Sequence, residues 1–161
     1  MRRQLDMMTV AEAMNAILFH TMPLGPRYCR LESALGLSLA EQVVADLDLP
    51  PFDKSIVDGY ALRSADVAGK TTRLRVVEEI LAGMTPSRPL GPGEAAAIMT
   101  GAPMPQGADA IVMFERVEPP EKDIIVVPGP IPAGHNRMPR GREMRAGDVV
   151  VPAGAVLDSA K

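Results

Sequence analysis

Apolar residues recur at helical spacing near the start of the chain, at Val10, Ala13, Met14, Ile17 and Leu18, which sets them along one stripe. Thr9 and Glu12 are spaced as a capping box, so the pattern predicts an amphipathic helix over 9–22, ended by Pro23. The loop PLGPRYC leads to a second short helix around 31–35, stopped by Gly36. Residues 37–45 suit either a helical turn or an edge strand. From Pro50 onward the period shortens, and Val/Ile/Ala-rich segments alternate with turns. This pattern predicts strands at 71–81, 94–99 and 108–117, with 124–127 as hairpin partner of 108–117 across Pro119-Pro120. A bent strand pair is expected over 148–157 around Pro152 to Gly154. Sixteen prolines and fourteen glycines, concentrated in this second region, favour short strands and tight turns over long helices. The fold class is mainly β with N-terminal helices, α+β overall.

Composition narrows the function classes. The 161 residues suffice for one good core or two small ones. With no Trp, three Phe and two Tyr, the eleven Met must fill space that aromatics usually take. A net charge of −3 without a basic stripe gives no reason to expect nucleic acid. Cys29 is the only cysteine and has no partner for an intrachain disulfide, which fits a reducing compartment. The opening MRRQLDMMTV lacks an apolar run after its arginines, and no apolar stretch approaches membrane-spanning length. A cytoplasmic protein with no membrane partner is expected.

The stretch with the densest chemistry is Leu49 to Arg63, LPPFDKSIVDGYALR. Pro50 and Pro51 predict a rigid lead-in, and Asp58-Gly59 reads as a turn carrying a carboxylate. Such a turn suits a metal ion or an oriented water, and equally a solvated surface turn. Two further loops compete with it. Thr100-Gly101 at a strand end offers a hydroxyl and backbone N–H groups, a small anion nest. His135 to Arg145, HNRMPRGREMR, carries four arginines whose forked groups suit phosphate or another oxyanion. Asp58 and Glu143, if brought together, suit Mg²⁺ through one or two carboxylates with waters filling the remaining sites. Turn glycines and solvated arginines are the bland alternative for each loop. The two histidines, His20 and His135, lie far apart, and no nucleophile–base pair, phosphate-binding loop, dinucleotide fingerprint or zinc spacing is present.

Taken in order, PPFDKSIVDGYALR, PGEAAAIMTGAPMPQGADAIVMFE and AGHNRMPRGREMRAGDVVVPAGAVL resemble the N-terminal half of the MoeA proteins and the gephyrin E domain, the molybdopterin molybdenumtransferases. The likeness extends upstream through LESALGLSLAEQVVAD. It implies an elongated N-terminal domain from 1–45 plus 141–161, with a β-rich domain, 46–140, inserted in it. It also implies an enzyme that inserts molybdenum from molybdate into adenylylated molybdopterin, hydrolysing the adenylate with Mg²⁺. In that family the cleft lies between the β-rich domain of one subunit and a third domain of the other subunit of a homodimer. The chain stops where that third domain would begin. The missing C-terminal domains, or a separate chain supplying them, are therefore expected partners, as is a molybdopterin adenylyltransferase.

Carried over residue by residue, the resemblance makes Asp58, Thr100 and Glu143 the candidate catalytic residues, with Asp58 and Glu143 as metal ligands. Ser55, Gly101, Arg137, Arg140 and Arg145 are the candidate substrate- and anion-binding residues. Glu143 stands where the family usually has Asp, and Arg142 replaces an acidic neighbour. Lys54 replaces Asn, Ile56-Val57 replace Ala-Met, and Ala97 occupies a position often held by Arg. Without the groups that fix substrate in near-attack geometry, catalysis by this chain alone is not expected. A non-catalytic binding or dimerisation module on the same scaffold is the competing reading.

Overall fold

The structure is a computed structural model that describes residues 8–22, 24–69, 71–118 and 121–159. It divides into two compact units, Met1–Gln42 with Pro152–Lys161, and Val43–Val151.

In the first unit, helix α1 runs Val10–His20. Its N-terminus is closed as expected. The Glu12 amide donates to the Thr9 hydroxyl at 3.3 Å, and the Glu12 carboxylate accepts from the Thr9 amide at 2.8 Å. Thr21 forms the C-cap, and Pro23, expected to stop the helix, lies outside the described residues. The second predicted helix is a single 3₁₀ turn, Leu31–Ser33. Beyond it, the ambiguous segment resolves as an extended ribbon. The Gly36 and Leu39 amides donate to the Leu157 and Ala155 carbonyls at 2.8 and 2.9 Å, and Ser38 bridges Val156.

The second unit is built on a five-stranded sheet whose strands run, from one edge to the other, 110–113, 59–62, 94–98, 71–80 and 124–128. Its strands are β3 (Gly59–Leu62), β4 (Thr71–Ile80), β5 (Glu94–Ile98), β6 (Ala110–Met113) and β7 (Ile124–Pro128). Side chains alternate across it. Tyr60, Leu62, Leu74, Ala95, Val112, Ile125 and Val127 build one apolar cluster. Ala61, Ile80, Ala96, Ile98 and Ile111 build another. Two small ribbons complete the unit: β1 (Val43–Val44) pairs with β9 (Val149–Val151), and β2 (Lys54–Ser55) with β8 (Arg137–Met138).

Two pairings differ from expectation. β7 is not the hairpin partner of β6 but lies antiparallel on β4, with Thr71 opposite Pro128 and Arg75 opposite Ile124. β6 instead pairs with β3, and it ends at Met113, where Phe114–Arg116 turn as a 3₁₀ helix that sets the Phe114 ring edge-on to Tyr60 at 4.8 Å. Pro119-Pro120, read as the turn of that hairpin, lie outside the described residues. The tail does not pair with itself either, since β9 joins β1 and Val156 joins Ser38. Among the described residues, no helix is long and apolar enough to cross a membrane.

Candidate active site

Segment 53–58 knits the three motif stretches together. On one side, the Ser55 amide donates to the Ala102 carbonyl at 3.0 Å, and the Gly101 and Met104 amides donate to the Ser55 and Asp53 carbonyls at 2.9 and 2.8 Å. On the other, Lys54 and Ser55 face Met138 and Arg137 in the β2–β8 ribbon, and the Ile56 amide donates to the Asn136 carbonyl at 3.1 Å. The peptide bond between Leu49 and Pro50 is cis.

At the end of this segment stands Asp58, immediately before β3. Its Oδ1 accepts from the Thr100 amide at 2.7 Å and from the Thr100 hydroxyl at 2.8 Å, a contact spanning 42 residues. The amide, with the hydroxyl second, holds the Asp58 carboxyl below its ordinary value. The carboxylate is therefore ionised at neutral pH, and among the described residues Oδ2 accepts no hydrogen bond. Gly59 lets β3 start here. A Cβ on it would come 2.0 Å from the Val112 carbonyl oxygen, so the strand approach requires glycine.

The backbone nest expected at Thr100-Gly101 is not open. The amides of Thr100, Gly101 and Ala102 donate to Asp58 Oδ1, the Ser55 carbonyl and the Met99 carbonyl. Ser55 also departs from its expected role, because it is 1% exposed and its hydroxyl donates to the Val57 carbonyl while accepting from the Val57 amide. A hydroxyl has one hydrogen to donate, so neither Ser55 nor Thr100 offers a donor to an anion here.

The 140–146 loop holds the remaining candidates against residues 48–53. The Glu143 amide donates to the Leu49 carbonyl at 2.9 Å, and among the described residues its exposed carboxylate has no hydrogen-bond partner. Arg140 Nε donates to Asp48 Oδ2 at 2.6 Å and the Arg140 amide to Asp53 Oδ1 at 2.8 Å. Arg137 Nη1 lies 3.6 Å from Asp53 Oδ2, and its Nε is buried without a partner among the described residues. The Arg145 amide donates to Asp148 at 2.8 Å. Ala97 faces Tyr60 across β3–β5 and packs against the apolar cluster.

Asp48 goes unnoticed in the sequence, and Asp53 receives no role there although it stands in the LPPFDKSIVDGYALR stretch. Asp48 Oδ1 accepts from the Ala146 amide at 2.9 Å, so its carboxylate holds both ends of the loop. That amide first, then Arg140, lowers the Asp48 carboxyl below its ordinary value. Asp48 lies in no motif, and the partners of the two carboxylates lie 84 to 98 residues away, from Arg137 to Ala146.

As a metal site, the arrangement supplies hard oxygen donors and no cage. Among the described residues no group of three or more His, Cys, Asp or Glu could hold a metal, and no hydrogen bond joins Asp58 to Glu143. One or two carboxylates with water fit Mg²⁺, which keeps much of its hydration shell.

A family model of the MoeA N-terminal region (domain I and II) matches residues 8–161, and the chain belongs to that family. It is 39% identical over 153 residues to a molybdopterin molybdenumtransferase of Staphylococcus aureus, covering 92% of this chain and 36% of that protein. A molybdopterin molybdenumtransferase of Staphylococcus epidermidis is 35% identical over 155 residues, covering 94% and 37%. Among solved structures, the molybdopterin biosynthesis MoeA protein of Pyrococcus horikosii matches with a TM-score of 0.81 at 34% identity, over 93% of this chain and 39% of that one. The chain thus spans 36–37% of the length of these curated relatives.

Proposed function

We propose that this chain forms the N-terminal part of a molybdopterin molybdenumtransferase, which inserts molybdate-derived molybdenum into adenylylated molybdopterin during molybdenum cofactor biosynthesis. The observation that carries this reading is the Asp58–Thr100 contact, because it joins two of the three family-like stretches at one exposed, ionised carboxylate. Asp58 and Glu143 are the carboxylates that would hold Mg²⁺, which when bound would neutralise charge on the adenylate phosphate. Thr100 keeps Asp58 Oδ1 engaged, so Oδ2 is the oxygen that would be available to a cation or an attacking water. Arg137, Arg140 and Arg145 attract the anionic substrates, with the Nη groups of Arg140 free of partners among the described residues. In this reading the protein is cytoplasmic and homodimeric. C-terminal domains, or a separate chain, complete the cleft, and a molybdopterin adenylyltransferase supplies the substrate.

The test is molybdate-dependent hydrolysis of adenylylated molybdopterin with Mg²⁺, by the chain alone and with a separately expressed third-domain protein. Turnover is expected only in the mixture, and Asp58→Ala is expected to lower it about 100-fold, the scale of losing a positioned charged group. Unchanged turnover with Asp58→Ala removes the central assignment. A second reading, a non-catalytic binding or dimerisation module, is favoured by α1, which buries no side chain and leaves Val10, Ile17 and Phe19 exposed. No turnover in any mixture, with a complete family member active alongside, supports that reading instead.

A further inference from the structure

The 140–146 loop carries both a candidate ligand, Glu143, whose side chain has no hydrogen-bond partner among the described residues, and a candidate anion-facing group, Arg140, whose side chain is anchored through Nε alone. Its middle is fixed by main chain alone. The Gly141 amide donates to the Pro50 carbonyl at 2.9 Å, and the Leu49 amide donates to the Met144 carbonyl at 2.7 Å. Asp53 and Asp148 each take one backbone amide near an end, of Arg140 and Arg145, and the Asp48 carboxylate reaches both ends. Asp48 Oδ2 takes Arg140 Nε at 2.6 Å and Oδ1 takes the Ala146 amide at 2.9 Å, leaving the Asp48 side chain 20% exposed. The loop closes tightly over it. Gly141 has φ +65°, and a Cβ there would come 3.5 Å from Asp48 Cγ and 3.2 Å from Arg145 Cγ.

A guanidinium is a rigid plane with five donors, so fixing Nε fixes the direction of the Nη edge. With the Arg140 amide held by Asp53 and its Nε by Asp48, backbone and side chain are pinned by separate carboxylates. The four N–H bonds of the Nη groups have no partner among the described residues. We propose that Asp48 is a positioning residue, whose carboxylate spans the 140–146 loop, turns the Nη edge of Arg140 outward as an anion-facing fork, and fixes the loop that presents Glu143. This rests on the function proposed above only for what the fork serves; the orientation itself stands on the unliganded protein. Among the described residues no hydrogen bond or ion pair joins Asp48 to Asp58 or Glu143, so its effect on the site runs through the loop.

The experiment uses the full 161-residue chain and its Asp48→Asn and Asp48→Ala variants. Two signals are read by NMR without ligand: the Arg140 Nε–H resonance and hydrogen exchange at the Ala146 amide. In the parent chain both are expected to be protected. In either variant, the Arg140 signal should move and broaden, and Ala146 exchange should rise about tenfold or more, while amides of β3 and β5 keep their protection. Asp48→Asn preserves shape and serves if Asp48→Ala fails to fold. Unchanged Arg140 and Ala146 signals overturn the proposal, as does loss of protection spread evenly through the sheet, which makes Asp48 a general stability residue. Orthophosphate and molybdate are then titrated as probes. Perturbation of the Arg140 signal in the parent chain that disappears in Asp48→Asn supports the fork. Equal perturbation in both overturns it. The catalytic assay is read separately, so failure of turnover strikes the proposed function and leaves the orientation result standing.

Discussion

Glu94 opens β5 with its side chain buried, and a carboxylate there keeps its charge because donors surround it. Oε2 accepts from the Gly91 amide at 2.9 Å and from Arg88, and Oε1 accepts from Arg75 Nη2 at 2.9 Å. The Gly91 amide first, then the two arginines, hold its carboxyl below the ordinary value of 4.5. A carboxyl whose folded value is depressed contributes stability that is fully present above its unfolded value and is lost as pH falls through the folded one. Glu94→Gln is therefore expected to lower the thermal midpoint at neutral pH by about 3–8 °C, the scale of lost charge-assisted hydrogen bonds. The gap should close as pH falls below 4.5, because only the parent chain loses this contribution there. Asp48 and Asp58, also held low, titrate in both proteins and cancel in the comparison. A gap that persists unchanged into strong acid would show that the network is not what Glu94 supplies. Local contacts of this kind differ in legibility. The Thr9–Glu12 box was readable because both partners lie within one turn, whereas Asp48 meets Arg140 across 92 residues and no spacing announces it. Asp58 and Thr100 become site residues through family resemblance, and their 42-residue separation explains why spacing alone leaves them as two of three competing loops.

At the scale of elements, β4 explains both what was foreseen and what was not. It is ten residues long, and its two halves serve different neighbours: Thr71–Arg75 face β7, while Arg75–Ile80 run parallel to β5. Alternation along β4 and the apolar runs of β5 and β6 were enough to locate strands, because a buried face imposes that pattern. Partner choice is non-local, so β7 was assigned to the strand next to it in sequence when the free edge of β4 was the better mate. The interior strand β3, between β6 and β5, is the least visible element, since Gly-Tyr-Ala-Leu is short and buried on both faces and so shows no alternation. Its first residue provides a sharp test. Gly59 pairs with Ile98 on one side and Met113 on the other, and an added Cβ would meet the Val112 carbonyl oxygen at 2.0 Å and its carbon at 2.8 Å. Both atoms are backbone in a paired strand, so relief requires moving β6 away from β3. Gly59→Ala is expected to destabilise by about 3 kcal/mol or more, above ordinary overpacking, and to move the neighbouring Asp58. Chemical denaturation reads the first effect. A loss below about 1 kcal/mol would mean that β6 yields more readily than a paired strand does.

For the molecule as a whole, the two units differ in what holds them. Both apolar clusters, with every buried residue that forms them, lie within Val43–Val151. In the described part of the other unit, Ala34 is the one buried apolar residue, and α1, eleven residues long, buries none. A helix of that length is marginal in water without packing, whatever its caps contribute. Amides of α1 should therefore exchange through openings costing about 0–2 kcal/mol, and those of β3, β5 and β6 only near global unfolding. The same asymmetry bears on the site, because Asp48, Asp58, Thr100, Arg140 and Glu143 all belong to the unit that holds the core. That unit also has matched ends: Val43 pairs with Val151 in the β1–β9 ribbon, so the two chain ends leave it side by side. Segments bounded in this way close on themselves and tolerate excision. A chain cut to residues 43–151 is expected to fold, with a thermal midpoint within about 5 °C of the full chain, a shift corresponding to about 1–2 kcal/mol. It should also retain the protected Ala146 amide and Arg140 Nε–H signal. Failure of this fragment to fold, despite containing both clusters, would mean that residues 8–42 and 152–159 supply more stability than their burial indicates.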